Sequence, residues 1–229
     1  MGLEEASEVD KFDDYAARYT DVHAANLKAT GEAPEYFARY KVDCLKRLGI
    51  GSTASILDFG CGIGNLTTLL TEHFARVGGY DPSPESLKRV RERVPKATFF
   101  DSPETIPRDE FDAVVMAGVL HHIPPERRPS VIDAARSALR PGGQLVVFEH
   151  NPFNPLTRRA VDTCPFDDDA ILLKPSEVRR RLKQAGLSDV HQDYIVFFPA
   201  ALSWLRRLEP NLGWLPVGAQ TLTVGRRQG

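Results

Sequence analysis

ILDFGCGIGNLTTLL, residues 56–70, joins an apolar run to an amphipathic one through glycines at 60, 62 and 64. A strand that ends in a glycine turn ahead of a helix lets backbone approach a ligand closely and aims free helix N–H groups at it. The residues around the glycines narrow the choice of ligand. A dinucleotide fingerprint starting at Gly60 needs a small residue at Asn65, and one starting at Gly62 needs it at Thr67. A phosphate loop fails as well, because no Gly-Lys-Ser/Thr follows. What remains is Asp58-x-Gly60-x-Gly62-x-Gly64, with a second carboxylate, Asp81, at the end of the next apolar run in GYDPS. In a parallel sheet both strand ends face one crevice. Asp81 can then accept hydrogen bonds from two ribose hydroxyls while the loop passes beneath the sugar. The expected ligand is a nucleoside with an intact diol.

Outward from this stretch, short apolar runs alternate with helical patterns from Ser55 to Glu149: SILDF, NLTTLLTEHF, RVGGY, SPESLKRVRERV, ATFF, FDAVVMA, ERRPSVIDAARSALR and QLVVFE. The alternation reads as βαβ units. Ser83 and Pro84 supply an N-cap and a first-turn proline, and Pro141, Gly142 and Gly143 stop a helix expected to end at Arg140. FDAVVMA and QLVVF are nearly all apolar, as central strands covered on both faces should be. The fold class is α/β: a doubly wound, mostly parallel sheet. After it, PSEVRRRLKQAGL reads as helix, VHQDYIVFF as strand, PAALSWLRRLE as a short helix and AQTLTVGRR as a final strand.

The whole chain of 229 residues is read as one domain. Residues 1–48 are expected to form a helical lid, 49–149 the cofactor-binding core, 150–174 an irregular insertion covering an acceptor, and 175–229 the C-terminal helix and strands. A net charge of −2 gives no general reason to expect nucleic acid. The longest apolar runs fall well short of a membrane span, and MGLEEASEVD lacks the apolar stretch of a secretion signal, so a cytoplasmic protein without membrane contact is expected. Ala6 replaces the Ser or Thr that a myristoylated Gly2 would want. Cys44, Cys61 and Cys164 are odd in number and have no CxxC spacing, which argues against a disulfide framework or a zinc site.

Taken in order along the chain, ILDFGCGIG, YDPS, FFDSPETIP, FDAVVMAGVLHHI and LRPGGQLVVFE resemble the successive motifs of the class I S-adenosylmethionine-dependent methyltransferases of the small-molecule type. The resemblance implies a seven-stranded Rossmann-like sheet and S-adenosyl-L-methionine as cofactor. Gly60, Cys61, Gly62 and Gly64 would line its methionine and ribose portions. Asp58 would support the amino-acid end, and Asp81 with Pro82 would meet the ribose. Asp101 and Ser102 would border the adenine, while Ala117 and Gly118 would lie against the sulfonium. Tyr19 stands where many members of this class place an aromatic over the methionine end.

Methyl transfer from a sulfonium has a good leaving group, so holding acceptor and methyl in line supplies much of the catalysis. For an oxygen acceptor a neutral imidazole near the strand ends would take the proton. His121 and His122 follow the fourth strand and His150 the fifth. His150 and His122 carry the catalytic assignment, and His121 reads as structural. His23 reads as an exposed histidine of the lid. The arginine pairs at 127–128, 206–207 and 226–227 read as solvated faces. Arg158 and Arg159, in the expected acceptor cover, are candidates for clamping a carboxylate or phosphate. Asp167, Asp168 and Asp169 read as a solvated turn, and no metal is expected. O-methylation of a small-molecule acceptor is favoured. The alternatives are a non-catalytic cofactor-binding protein on the same fold and a macromolecule N-methyltransferase, although the DPPY/NPPY pattern of base-methylating enzymes is missing after the fourth strand. Acceptor identity and oligomeric state stay open.

Overall fold

Residues 111–117 form a strand with Val114, Val115 and Met116 wholly buried, which is what a nearly all-apolar run sandwiched between helical layers should do. The computed structural model describes residues 34–164 and 167–229. In chain order it places α1 (Pro34–Arg47), β1 (Ser55–Phe59), α2 (Asn65–His73), β2 (Arg76–Tyr80), α3 (Pro84–Arg93) and β3 (Thr98–Phe100). There follow β4 (Phe111–Ala117), α4 (Arg128–Ala138), β5 (Leu139–His150), α5 (Pro155–Asp162), α6 (Pro175–Gln184), β6 (Leu187–Ile195) and β7 (Gln220–Arg227). Short 3-10 segments lie at Pro103–Thr105, Leu120–His122 and Ala200–Asn211.

The seven strands lie in the order β3-β2-β1-β4-β5-β7-β6. Those from β1 to β5 are parallel, and β7 runs antiparallel between β5 and β6. The chain winds outward from β1 to β3, then returns to β4. That reversal opens a crevice at the carboxyl ends of β1 and β4, the place where open α/β sheets bind ligands.

Alternate residues of the central strands feed two cores. On one face Ile56, Ala113, Val115, Val146 and Phe148 pack with Val42 and Leu45 of α1 and Leu70 of α2. On the other, Leu57, Val114, Met116, Leu145 and Val147 pack with Ile132 of α4 and Leu182 of α6. Each of the larger of these side chains contributes on the order of 1.5 to 3 kcal/mol through burial.

Helix α1 falls within the segment expected to act as a lid, yet Ala38, Val42, Cys44 and Leu45 sit in the first core. It is a packed layer of the domain. Tyr19 and His23 lie outside the described residues.

Local signals are followed closely where they were strong. Ser83 caps α3, its hydroxyl accepting from the Ser86 N–H at 3.0 Å, and Pro84 occupies the first turn. The helix expected to reach Arg140 stops at Ala138, since Leu139 already pairs with Phe111. The Pro-Gly-Gly that follows forms the bulge after which pairing resumes at Gln144 opposite Ala113. Residues 190–198 were expected to form one strand, but β6 covers 187–195 and ends before Val196, whose φ of +61° breaks extended geometry. The stretch expected to be irregular over 150–174 contains α5. Asn154 caps that helix by accepting from the Leu156 and Thr157 N–H groups at 2.9 and 3.0 Å. An Asn-Pro start to eight residues is too short to show a period, so only the cap announced it.

Candidate active site

The glycine loop leaves β1 and turns tightly under β2. The N–H groups of Gly60 and Cys61 both donate to the Tyr80 carbonyl, at 2.7 and 2.9 Å. Gly64 adopts φ +85° at the start of α2, where a Cβ would lie 2.3 Å from Val90. Any side chain there is excluded twice, by backbone conformation and by packing. Above Gly62, by contrast, a Cβ would meet nothing within 4 Å among the described residues. The loop is tied to the sheet below and open above, which is the shape a cofactor cradle requires.

Asp81 is buried. Its two carboxylate oxygens accept from the N–H groups of Gly62 at 2.8 Å and Ser83 at 3.0 Å. The backbone thus fixes the orientation of the carboxylate at the end of β2. Pro82 beside it is exposed, as is Asp101, and Ser102 is half-buried at the start of the Pro103–Thr105 segment. Ala117 and Gly118 are half-buried small residues at the carboxyl end of β4.

Asp58 is 1% exposed and accepts from the Thr67 hydroxyl at 2.7 Å. Burial pushes its carboxyl up to about 7, opposed by the Thr67 hydrogen bond and by Lys41, and assisted by the Asp81 charge. Cys61 contributes backbone to the loop, while its side chain packs with Leu87, Val90 and Val94. Burial raises its thiol far above the usual range, so it is an unreactive packing group. Lys41 of α1 had no sequence signal. It is half-buried with Nζ 5.6 Å from the Phe148 ring, and burial pulls its ammonium down to about 8 against the charges of Cys44, Asp58 and Glu149.

Beside Gly118 the chain builds a second centre. A Cβ on Gly118 would lie 3.4 Å from His121 Cε1, so the His121 ring borders the end of β4 directly. His121 is 2% exposed, and its Nδ1 lies 2.6 Å from Glu149 Oε2. The other oxygen of Glu149 accepts from the Leu120 N–H at 2.8 Å. His121 Nε2 and His122 Nε2 each stand 3.6 Å from the same atom, Asp167 Oδ1. The His150 ring lies 5.0 Å from that of His121, centroid to centroid.

Burial alone would lower the His121 pKa, but the Glu149 charge, aided by Asp167, overcomes it and lifts the imidazole to about 9. Burial and the neighbouring His121 charge press both His122 and His150 down to about 4.

Three expectations change here. Asp167 is no solvated turn residue, because the chain after α5 carries it back to the histidines. Arg128 is no solvated face either. It is 1% exposed, and its Nε donates to the carbonyls of Leu120 at 3.0 Å and Ile123 at 2.9 Å. One terminal nitrogen donates to the Ile171 carbonyl at 2.8 Å, and the other lies 3.3 Å from Glu177. The Ile171 N–H donates in turn to the His121 carbonyl at 2.8 Å. The histidine turn and the returning segment are thus pinned together. His121, read as structural from sequence, is the hub of the cluster. Arg158 and Arg159 are exposed on α5.

Residues 32–192 match the methyltransferase domain family. The chain belongs to that family. It is a class I S-adenosylmethionine-dependent methyltransferase domain, with the sheet expected for the class. An uncharacterized methyltransferase of Synechocystis is 35% identical over 114 residues, covering 48% of this chain and 54% of that protein. A trans-aconitate 2-methyltransferase of Azoarcus is 32% identical over 109 residues, covering 46% of this chain and 42% of that protein. The methyltransferase domain spans about half the length of these curated relatives. The fold is shared with a solved Haemonchus contortus phosphoethanolamine N-methyltransferase bound to S-adenosyl-L-methionine. That structure has a TM-score of 0.67 and 18% identity, over 95% of this chain and 60% of that one. A Thermotoga maritima structure described as a possible histamine N-methyltransferase gives 0.66 and 19%, over 96% and 100%. No described helix of the methyltransferase domain is long and apolar enough to cross a membrane.

Proposed function

We propose that this chain transfers the methyl group of S-adenosylmethionine to an oxygen of a small-molecule acceptor seated against His121, His122 and His150. The observation that carries this reading is the continuity of the two centres: the end of β4 that closes the cofactor crevice is the same backbone against which the His121 ring packs.

The glycine loop and Asp81 would hold the nucleoside, and Ala117 and Gly118 leave space for the reacting end. Bound S-adenosylmethionine supplies a methyl group on a sulfonium whose departure leaves a neutral thioether. The protein's own work is then to bind and orient the acceptor, exclude water and receive one proton. His150, half-buried where β5 ends, is the group assigned to take the acceptor hydroxyl proton. The segment from Asp167 to Ile171, bonded to the histidine turn, shields this space from solvent. Asp58 and Thr67 hold the loop's entry, so their contribution is to position backbone.

Replacing His150 with Ala tests the assignment. Cofactor affinity, read by calorimetry, should change little, while turnover on the true acceptor should fall about 100- to 10,000-fold. Full turnover in that variant removes His150 as the proton acceptor.

A further inference from the structure

His121 is held in one orientation. His121 Nδ1–H donates to Glu149 Oε2 at 2.6 Å, so in the neutral ring, the form a metal ion selects by displacing the second proton, the Nε2 lone pair is directed away from that carboxylate. That lone pair meets Asp167 Oδ1 at 3.6 Å, and His122 Nε2 reaches the same oxygen at the same distance. Two imidazole nitrogens and a carboxylate oxygen converge, with one donor atom from each residue within 4.8 Å of the others. All three side chains are largely shielded, at 2%, 17% and 13% exposure.

A proton on His121 Nε2 is a poor account of this arrangement. A charge-assisted N–H···O bond closes to about 2.7–2.9 Å, whereas both gaps here are 3.6 Å. One proton also does nothing for His122. A metal ion accounts for both gaps together, since two donors about 2.1 Å from a tetrahedral ion lie about 3.4 Å apart. A carboxylate holding the far nitrogen of a ligating histidine is the usual support of such sites, and Glu149 occupies that place, anchored in turn by the Leu120 N–H.

The geometry points to a divalent transition-metal site of the zinc type, formed by His121 Nε2, His122 Nε2 and Asp167 Oδ1, with Glu149 orienting His121 from behind. Imidazole and carboxylate donors suit zinc and its neighbours better than magnesium or calcium, which prefer all-oxygen shells. Three protein donors leave a position open, as in sites that take an exogenous oxygen. With His121 packed against Gly118, that position would suit the acceptor's oxygen. This role rests on the methyl-transfer reading, while binding of the ion does not. The signal was split across the chain: HH at 121–122, FEH at 148–150 and DDD at 167–169 are each ordinary alone.

The test uses the full chain after dialysis against a chelator, with cobalt(II) and zinc as probes. Cobalt should bind at one equivalent and give visible d–d absorption, and zinc should displace it. His122→Gln and Asp167→Asn should each weaken binding at least about 10-fold, and Glu149→Gln about 10- to 100-fold. Each variant is first checked for an unchanged melting curve and unchanged binding of S-adenosylhomocysteine. His73→Gln/His191→Gln, at exposed histidines away from the cluster, should bind cobalt like the parent chain. Failure of the parent chain to bind cobalt, or equal binding after both His122→Gln and Asp167→Asn, overturns the site. Loss of binding in the His73→Gln/His191→Gln chain does the same. S-adenosylhomocysteine binding in the same samples reports on the cofactor reading separately.

Discussion

The two halves of the crevice are built in opposite ways. On the cofactor side the decisive contacts are short in sequence: Asp58 to Thr67 spans nine residues and Asp81 to Gly62 nineteen. On the side proposed for the acceptor His121 reaches Glu149 across twenty-eight residues, and Arg128 reaches Ile171 across forty-three and Glu177 across forty-nine. The first half is made by one βαβ unit closing on itself. The second exists only after β4, β5 and the segment following α5 have come together. A locally built site should tolerate change elsewhere in the domain, and a site assembled over distance should depend on the groups that pin its pieces.

Arg128→Met is the severest test of that contrast. Removing a buried guanidinium leaves the Leu120, Ile123 and Ile171 carbonyls without their donor, and the loss of stability should be about 3 to 5 kcal/mol by denaturant titration. At low temperature, where the chain stays folded, turnover should fall while S-adenosylhomocysteine affinity holds. Equal damage to both readouts would mean the halves are not separable.

Asp81→Ala probes the local half. Loss of charge-assisted bonds to a diol costs on the order of 1.5 to 3 kcal/mol, or about 10- to 150-fold in cofactor affinity by calorimetry. Unchanged affinity would remove Asp81 from the ribose.

A smaller effect follows from Asp58. Burial raises its folded pKa to about 7 from an ordinary 3.8, so the folded chain binds the extra proton. Its contribution is neutral below about pH 4, where both states are protonated, and becomes progressively destabilising as pH rises toward 7. The stability of Asp58→Asn minus that of the parent should therefore grow from pH 4 to 7 and level off above it. A flat difference would show that Thr67 and Lys41 keep the carboxylate ionised throughout. Smallest of all, Arg159→Ala, on the exposed side of α5, should shift stability by no more than about 0.5 kcal/mol. A large loss of acceptor affinity in that variant would instead make Arg159 part of the acceptor half.

The same contrast explains what could be read in advance. Glycine spacing, the carboxylate ending the second strand, the Ser83-Pro84 cap and the apolar run of β4 are local signals, each tied to backbone geometry or strand burial within a few residues. They specified a doubly wound sheet and pointed to a nucleoside at the carboxyl ends of β1 and β2. The aromatic and charged residues of helix α1 show amphipathicity without naming the partner of the apolar face, and only the packed structure shows Val42 and Leu45 against the sheet. Arg127 and Arg128 are indistinguishable as letters, yet only Arg128 points inward, where three carbonyls needed a donor. Asp167 to Asp169 look alike in the same way, and the return of the chain after α5 selects Asp167. Sequence by itself determined the periodicities and turns, since these are properties of neighbouring residues. Tertiary structure alone decided which of several identical charged or imidazole groups would be desolvated together. That choice depends on which strand ends meet at one edge of the sheet, and electrostatics at close range in a dry environment then makes those few groups differ from their neighbours in the chain.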